Sequence, residues 1–334
     1  MKRFIELSLM ALIIIATSVW GALAVYFGDS DSGIIWNFLS AGFGVFSLVT
    51  LISLGFPHWR KRCLYGYGVV FSLILIWWLL ISPSNDRQWQ PDVAKLAYAT
   101  FDGDKVTVHN IRNFDYRSEF TYVPAYYTKT FDLNELEGVD LFSVYWMGPA
   151  IAHTILSFNF GDGGHLAVSI EARKELSEGY STIKGFFRQY ELIYIVADER
   201  DVIRLRTNYR NDPPEQVYLY RLQGPPQNAK RLFLGYLDKI NSLNEKPEFY
   251  NTLVDNCTTA IWLRSRINPE HLRFSWKILL SGYLPEYLYE SNRLDTRVPF
   301  KELQRQSLIN EWAQRGDQEA DFSRRIRTTI LKPN

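Results

Sequence analysis

Two cysteines occur in the 334 residues, Cys63 and Cys257, and only the second has a neighbourhood suited to chemistry. It lies in the run Asn251-Thr252-Leu253-Val254-Asp255-Asn256-Cys257-Thr258-Thr259. Asn256 is a good helix N-cap, and Thr258 to Ile267 reads as a short helix stopped at Asn268-Pro269. A cysteine in the first turn of a helix meets unpaired backbone N–H groups and the positive end of the helix dipole. Both favour the thiolate, which is the nucleophilic form. A lone cysteine is more often a small buried hydrophobe, so a nucleophile here needs companions.

Thiol catalysis needs a histidine to carry the proton and N–H donors for a developing oxyanion. Beyond the apolar N-terminal region the histidines are His109, His153, His165 and His271. His109 sits inside an early strand with no obvious companion, and His271 follows Pro269 closely and reads as a surface residue. His153 begins a strand, where a side chain can lean over a neighbouring helix terminus. His165 abuts a turn, where polar residues are expected anyway. His153 is therefore the first choice of base and His165 the alternative. Glu171 or Asn251 would orient the imidazole, and spacing does not decide between them. Asn256 and Thr258 flank the sulfur and would support it. Arg173 would meet a carboxylate or phosphate, or else form a surface ion pair, the commoner fate. No CxxC or HExxH spacing is present, so neither a metal nor another cofactor is expected.

The elements that must position these groups read as an α+β domain. His153 to Phe160 and His165 to Glu171 alternate, and Gly161-Asp162-Gly163-Gly164 joins them as a hairpin. A turn centred on Asp162-Gly163 would set Phe160 against His165 and Thr154 against Glu171. That register puts His153 on the face opposite His165, about 23 Å along the ladder, with Glu171 also on the other face. Further strands are expected at Lys105 to Ile111, Leu192 to Ala197, Val202 to Thr207 and Val217 to Leu222. Tyr122 to Thr130 reads as extended, and Phe131 to Leu141 as a loop or short helix. After Pro226, the residues Ala229, Leu232, Phe233, Tyr236, Leu237, Ile240 and Leu243 mark one face of an amphipathic helix.

Ahead of this domain come three apolar runs, Leu7 to Phe27, Ile34 to Phe56 and Leu64 to Ile81. Each has the ~20-residue length needed to cross ~30 Å of hydrocarbon, and three in succession are not a signal peptide. Lys2 and Arg3 precede the first run, the first link carries Asp29 and Asp31, and the second carries Arg60, Lys61 and Arg62. The positive-inside rule then makes the N-terminus cytoplasmic and everything after Ile81 external, which in a bacterium is the periplasm. The expected organisation is a membrane region over 1–84, a thiol domain over 85–268 and a C-terminal extension over 269–334. The extension holds Trp276, Leu279, Leu280, Tyr283 and Leu284 and ends in Arg324, Arg325 and Arg327. It is expected to pack on the domain or on the membrane surface. With 10 Trp, 20 Tyr and 21 Phe the chain suits membrane interfaces or aromatic clefts, and a net charge of +1 gives no basis for a nucleic-acid partner.

Several motifs resemble one family in order. They are Ile151-Ala152-His153-Thr154-Ile155-Leu156-Ser157-Phe158, Ser169-Ile170-Glu171-Ala172-Arg173, Arg188-Gln189-Tyr190-Glu191-Leu192-Ile193-Tyr194, Leu205-Arg206-Thr207-Asn208-Tyr209, Phe249-Tyr250-Asn251-Thr252 and Asn256-Cys257-Thr258-Thr259. From roughly Val106 to Ile267 the chain resembles the domain of unknown function DUF4105, also described as the N-terminal periplasmic domain of a class of bacterial lipoprotein N-acyltransferases. His153 and Cys257 stand at matching positions, while the position of His165 is more variable. The order of a histidine strand before an Asn-Cys helix is also similar to circularly permuted papain-like thiol enzymes, an antiparallel sheet packed with helices. The resemblance implies a cysteine that takes an acyl chain from a phospholipid as a thioester and passes it to a lipoprotein amine. Membrane lipids and lipoproteins would be the partners, and the bacterial inner membrane the location. A cysteine peptidase or peptidoglycan amidase with the same dyad is the enzymatic rival, and a non-catalytic envelope scaffold the rival of another class.

Overall fold

The computed structural model describes residues 1–28 and 33–328. The chain divides into two units. One comprises Met1–Ser84 with Ser177–Tyr190, and the other Asn85–Leu176 with the chain from Glu191 onward.

The first unit holds α1 (Lys2–Tyr26), α2 (Gly33–Ser53) and α3 (Pro57–Leu80), each long and apolar enough to cross a membrane. Most of their Leu, Ile and Phe side chains point outward, as suits helices whose solvent is lipid. Their mutual contact is built on Tyr67 of α3, whose hydroxyl meets Thr17 Oγ1 at 2.7 Å and Ser18 Oγ at 2.9 Å on α1. Its ring stacks on Phe43 of α2 at 5.9 Å. The acidic residues Asp29 and Asp31 lie outside the described residues. Ser177–Tyr190 joins this unit because Arg188 donates to the carbonyls of Trp78, Leu79 and Ile81 at 3.0–3.2 Å. A cation there satisfies the orphan carbonyls at the end of α3 and complements its dipole.

The second unit is α+β. In chain order its strands are β1 (Tyr98–Asp102), β2 (Lys105–Arg112), β3 (Asp115–Ser118), β4 (Thr121–Val123), β5 (Tyr126–Asp132), β6 (Gly138–Tyr145), β7 (His153–Asn159), β8 (His165–Arg173) and β9 (Glu191–Ala197). Helix α4 (Glu199–Arg204), strand β10 (Gln216–Arg221), α5 (Pro226–Glu245) and α6 (Cys257–Ser265) follow, and then the short helices α7 (Trp276–Leu279), α8 (Leu284–Glu290), α9 (Phe300–Ser307), α10 (Asn310–Arg315) and α11 (Phe322–Arg325). The main sheet runs β1-β2-β9-β8-β7-β6-β10, with β5 also paired to β2, and only the β2–β9 contact is parallel.

Both sheet faces are covered. α5 lays its apolar stripe on one face, where Phe233 and Tyr236 meet Phe158 of β7 at 4.8 and 5.7 Å between ring centroids. Fully burying such an aromatic is worth roughly 1.5–3 kcal/mol. The other face is closed by Val202 and Ile203 of α4 and by Ile309, Ala313, Phe322 and Ile326, all buried against Ile155, Ala167 and Ile193. Residues from 269 to 328 thus lie in the same unit as the sheet and supply part of its core.

Three local expectations are corrected. Val202 to Thr207 is helical, continuing from α4 into a π-helical turn over Leu205–Tyr209. Asp198 caps its start by accepting from Arg200 N at 2.9 Å. The alternation there reflected Arg204 and Arg206, which are charged yet buried. Residues 138–141, expected in a loop or short helix, begin β6, held between β7 and β10. The β7–β8 hairpin exists, but its turn is centred on Asp162 alone. Gly161 and Gly164 take positive φ (54° and 83°), and Phe160 pairs with Gly164 through a 2.9 Å bond. Asn159 therefore faces His165 and Ile155 faces Ser169.

Candidate active site

A one-residue change of register carries every side chain of one strand to the other face relative to its partner. Extending the observed pairing two residues beyond Ile155–Ser169 sets His153 across from Glu171, on the same face. The side chains meet there. His153 Nε2 is 3.1 Å from Glu171 Oε1 and 2.7 Å from Ser169 Oγ, and Ser169 Oγ donates to Glu171 Oε1 at 2.7 Å. Ser169 spends its proton on the carboxylate, so it receives the Nε2 proton of the ring. That leaves Nδ1 to address the sulfur.

The sulfur is delivered by α6. Asn256 is the N-cap, and its side chain accepts from Thr258 N and Thr259 N at 2.9 Å each. Thr259 Oγ1 answers by accepting from Asn256 N at 3.1 Å, completing a capping box. Cys257 is the first helical residue, half-buried and not in a disulfide. Its thiol lies close enough to the His153 ring and to Thr154 for both to lower its pKa. Thr258, fully buried behind it, ties α6 to β7 through a 3.1 Å contact with Thr154 Oγ1.

The electrostatics follow from these contacts. Burial pushes the Cys257 thiol up. The His153 charge, the His153 hydrogen bond and the two Thr154 bonds overcome that and bring it down to about 7. Burial pushes His153 down, but the Glu171 carboxylate, the Cys257 sulfur and hydrogen bonds to both raise it to about 9. Glu171 is raised by burial, yet His153, Arg206 and Ser169 hold its carboxyl well below the usual range. Around neutral pH the arrangement is a thiolate facing an imidazolium, with an ionised carboxylate behind the ring. This is the composition of an activated thiol nucleophile with its proton carrier and orienting group.

Arg206, Ser169 and Thr154 belong to this site although their sequence positions did not single them out. Arg206 donates to Glu171 Oε1 at 3.2 Å and to Glu215 Oε1 at 3.0 Å, so it holds the same carboxylate oxygen that faces the imidazole. Its signal was hidden, because a buried arginine on a helix mimics the alternation of a strand. Ser169 stands two residues before Glu171, a spacing that puts both on one face of β8.

The remaining expected residues lie elsewhere. His165 is not brought to the thiol: it is at the far end of the hairpin, beside Glu199, Arg327, Asp140 and Arg221, and burial lowers its pKa. Measured along β7 it is six residues from His153, about 20 Å. Sharing a face with His153 is a consequence of the corrected register. Asn251 does not orient the ring, since its side chain accepts from Leu253 N and Val254 N at 2.9 and 3.1 Å and shapes the loop before α6. Arg173 is not an anion receptor. It is buried, donates to Val93 O, Asn85 Oδ1 and Ala94 O, and stacks on Trp89 at 4.1 Å.

Residues 122–282, just under half of the chain, match the family described as the Lnb N-terminal periplasmic domain. The match spans β7, β8 and α6, and so contains His153, Glu171, Arg206 and Cys257. No curated protein and no solved structure matches the chain. Three apolar helices near the N-terminus together with a periplasmic domain family fit an inner-membrane protein.

Proposed function

We propose that this protein is a membrane-anchored thiol acyltransferase or hydrolase of the periplasmic face, with Cys257 as nucleophile, His153 as proton carrier and Glu171 as the group that orients the ring. The observation that carries this reading is the placement of Cys257 at the capped start of α6, where the charge of a His153 held from behind by Glu171 and Ser169 lowers its pKa. A thiol kept only for packing has no use for a lowered pKa or for an oriented imidazole. The N-terminal charges Lys2 and Arg3 and the cluster Arg60, Lys61 and Arg62 support a cytoplasmic N-terminus, which sends the domain outside.

The favoured substrates are a phospholipid as acyl donor and a lipoprotein amine as acceptor. The Cys257 thiolate attacks the ester carbonyl carbon, a C–S bond forms, and the C–O bond to the glycerol breaks. The departing alkoxide takes the proton of His153, leaving a thioester and a lysophospholipid. An amine then attacks the thioester, His153 accepts its proton, and the thiolate is released as the amide forms. Water in place of the amine gives hydrolysis. The backbone N–H of Cys257, at the first position of α6, is the donor best placed for the oxyanion. The order of a histidine strand before a cysteine helix is that of permuted papain-like enzymes, which supports the same chemistry by analogy.

The test is intact-mass analysis of the full chain after incubation with a short-chain phospholipid. A mass increase equal to one acyl group, absent in Cys257→Ala, is expected. An adduct that forms only with peptide substrates would turn the reading to a peptidase or amidase, and an unreactive Cys257 would turn it to a scaffold.

A further inference from the structure

A cavity of about 150 Å³ runs along the underside of α6 in the second unit. Thr258, Ile261, Trp262 and Ser265 line it at the spacing of one helix face. Leu156 and Leu141 of the sheet, Leu232 of α5 and Ile278 of α7 close the other sides. Its polar lining is gathered at the far end, where Asn268, Glu270 and Arg293 stand. Apolar cavities of this size stay dry and admit a small hydrocarbon.

The near end is what gives the cavity a place in the chemistry. Thr258 is the residue after the nucleophile, and its hydroxyl is 3.8 Å from Cys257 Sγ. Leu156 shares its β7 face with Thr154, two residues away, and Thr154 Oγ1 lies 3.1 Å from Thr258 Oγ1. Thr258 thus both lines the void and neighbours the sulfur, so one side chain stands between them. A chain attached to the sulfur as a thioester would have to part the Thr258 hydroxyl from Thr154 Oγ1 to continue between α6 and β7. The protein also carries three helices of membrane-spanning length.

We infer that this cavity is the binding site for the hydrocarbon of the acyl group carried on Cys257, and that it measures the chain. The inference rests on the thiol-acylation reading and deepens it. Polar residues at the far end set the length, because a terminal methyl pushed against Asn268 and Arg293 gains nothing from further extension.

The experiment is acylation of the full chain in lipid nanodiscs by 4-nitrophenyl esters of two to twelve carbons, followed through 4-nitrophenol release and the Cys257 mass adduct. The second-order rate should rise about fourfold per methylene, the factor that corresponds to about 0.8 kcal/mol, and then level off before twelve carbons. Ile261→Trp should collapse the ratio of octanoyl to acetyl rates at least tenfold, and Ala229→Leu, a gentler filling, should move the plateau to shorter chains. Dioctanoyl phosphatidylglycerol, whose glycerol oxygen can leave, should acylate Cys257, whereas octanoate, which has no leaving group, should only compete for the cavity and slow acylation. A flat length dependence with the adduct still forming overturns the cavity assignment and leaves the nucleophile standing. If no adduct forms with any ester, the nucleophile reading falls. The cavity is then judged by whether decanoate raises the thermal midpoint of Cys257→Ala but not that of Cys257→Ala with Ile261→Trp. Equal responses in those two proteins overturn it as well.

Discussion

His153 Nε2 and Glu171 Oε1 stand 3.1 Å apart across two neighbouring strands, and a single residue in the turn joining those strands determines it. With the turn centred on Asp162, the two side chains share a sheet face. A turn one half-step longer would separate them and leave the imidazole without its orienting carboxylate. The positive φ of Gly161 and Gly164 is therefore a requirement of the site as well as of the hairpin.

The thiol should titrate far below an ordinary cysteine. Alkylation of Cys257 by iodoacetamide is expected to rise through a midpoint near 7, the value set by the His153 charge against the cost of burial. In His153→Ala the largest lowering influence is lost while burial and the Thr154 contributions remain, so the midpoint should rise toward the ordinary ~8.5 and the rate at pH 7 should fall roughly tenfold. The pH profile of alkylation, read by mass, checks this. An unchanged midpoint in the variant would detach His153 from the thiol.

Turnover should follow a bell. The active thiolate–imidazolium form exists above the lower pKa of about 7 and below the upper one of about 9. Both limbs belong to the coupled pair rather than to either residue alone. Glu171→Gln removes a charge that raises the His153 pKa, so the alkaline limb should move toward neutral pH. A loss of rate without that movement would make Glu171 a packing residue only.

How much of this was legible in the sequence depends on whether local pattern or distant partners decide each element. The N-cap, the helix at Cys257 and the hydrophobic stripe of α5 are local, and Asn256 and the spacing from Ala229 to Leu243 announce them. The three apolar helices are announced by length alone. The hairpin was legible but its register was not, because two glycines on either side of Asp162-Gly163 allow turns of different length, and the choice between them reverses one strand. Val202 to Thr207 misled because the charges that alternate there are buried by pairing, Arg206 with Glu171 and Glu215, and pairing is invisible to a hydropathy pattern. Arg173 misled for the same reason: its partners are backbone carbonyls some eighty residues earlier in the chain.

Arg206 should matter more to stability than its distance from the sulfur suggests. Arg206→Met removes the cation shared by Glu171 and Glu215 and leaves them to His153 and Arg210, which costs on the order of 2 kcal/mol at neutral pH. The sign with pH follows from Glu171. Its folded pKa lies below the ordinary carboxyl value, so its pairing stabilises the fold above about 4.5 and the benefit is lost as pH falls through the lowered value. Thermal unfolding of the full chain should therefore show the largest gap between the two proteins at pH 7, narrowing as the solution is acidified. A gap independent of pH would point to lost packing instead.

The last prediction concerns the strap that leads into His153. Gly282 N donates to Ala150 O at 3.0 Å, Ala152 N donates to Ser281 Oγ at 2.9 Å, and Tyr145 Oη donates to Gly282 O at 2.6 Å. These bonds pin residues 149–152 against the turn at Ser281–Tyr283, one step before β7 begins at His153. A Cβ on Gly282 would lie 2.0 Å from Pro149 O and 2.7 Å from Ala150 C, both backbone atoms that cannot rotate away. Gly282→Ala must therefore displace the strap, and His153 with it. A misplacement of about 1 Å at a reacting group costs as much as 100-fold, so turnover should fall by about 10- to 100-fold. The alkylation midpoint of Cys257 should rise in the same protein, because the sulfur loses its contact with the imidazolium. If turnover falls while the midpoint stays near 7, the strap acts on substrate access and not on the placement of His153.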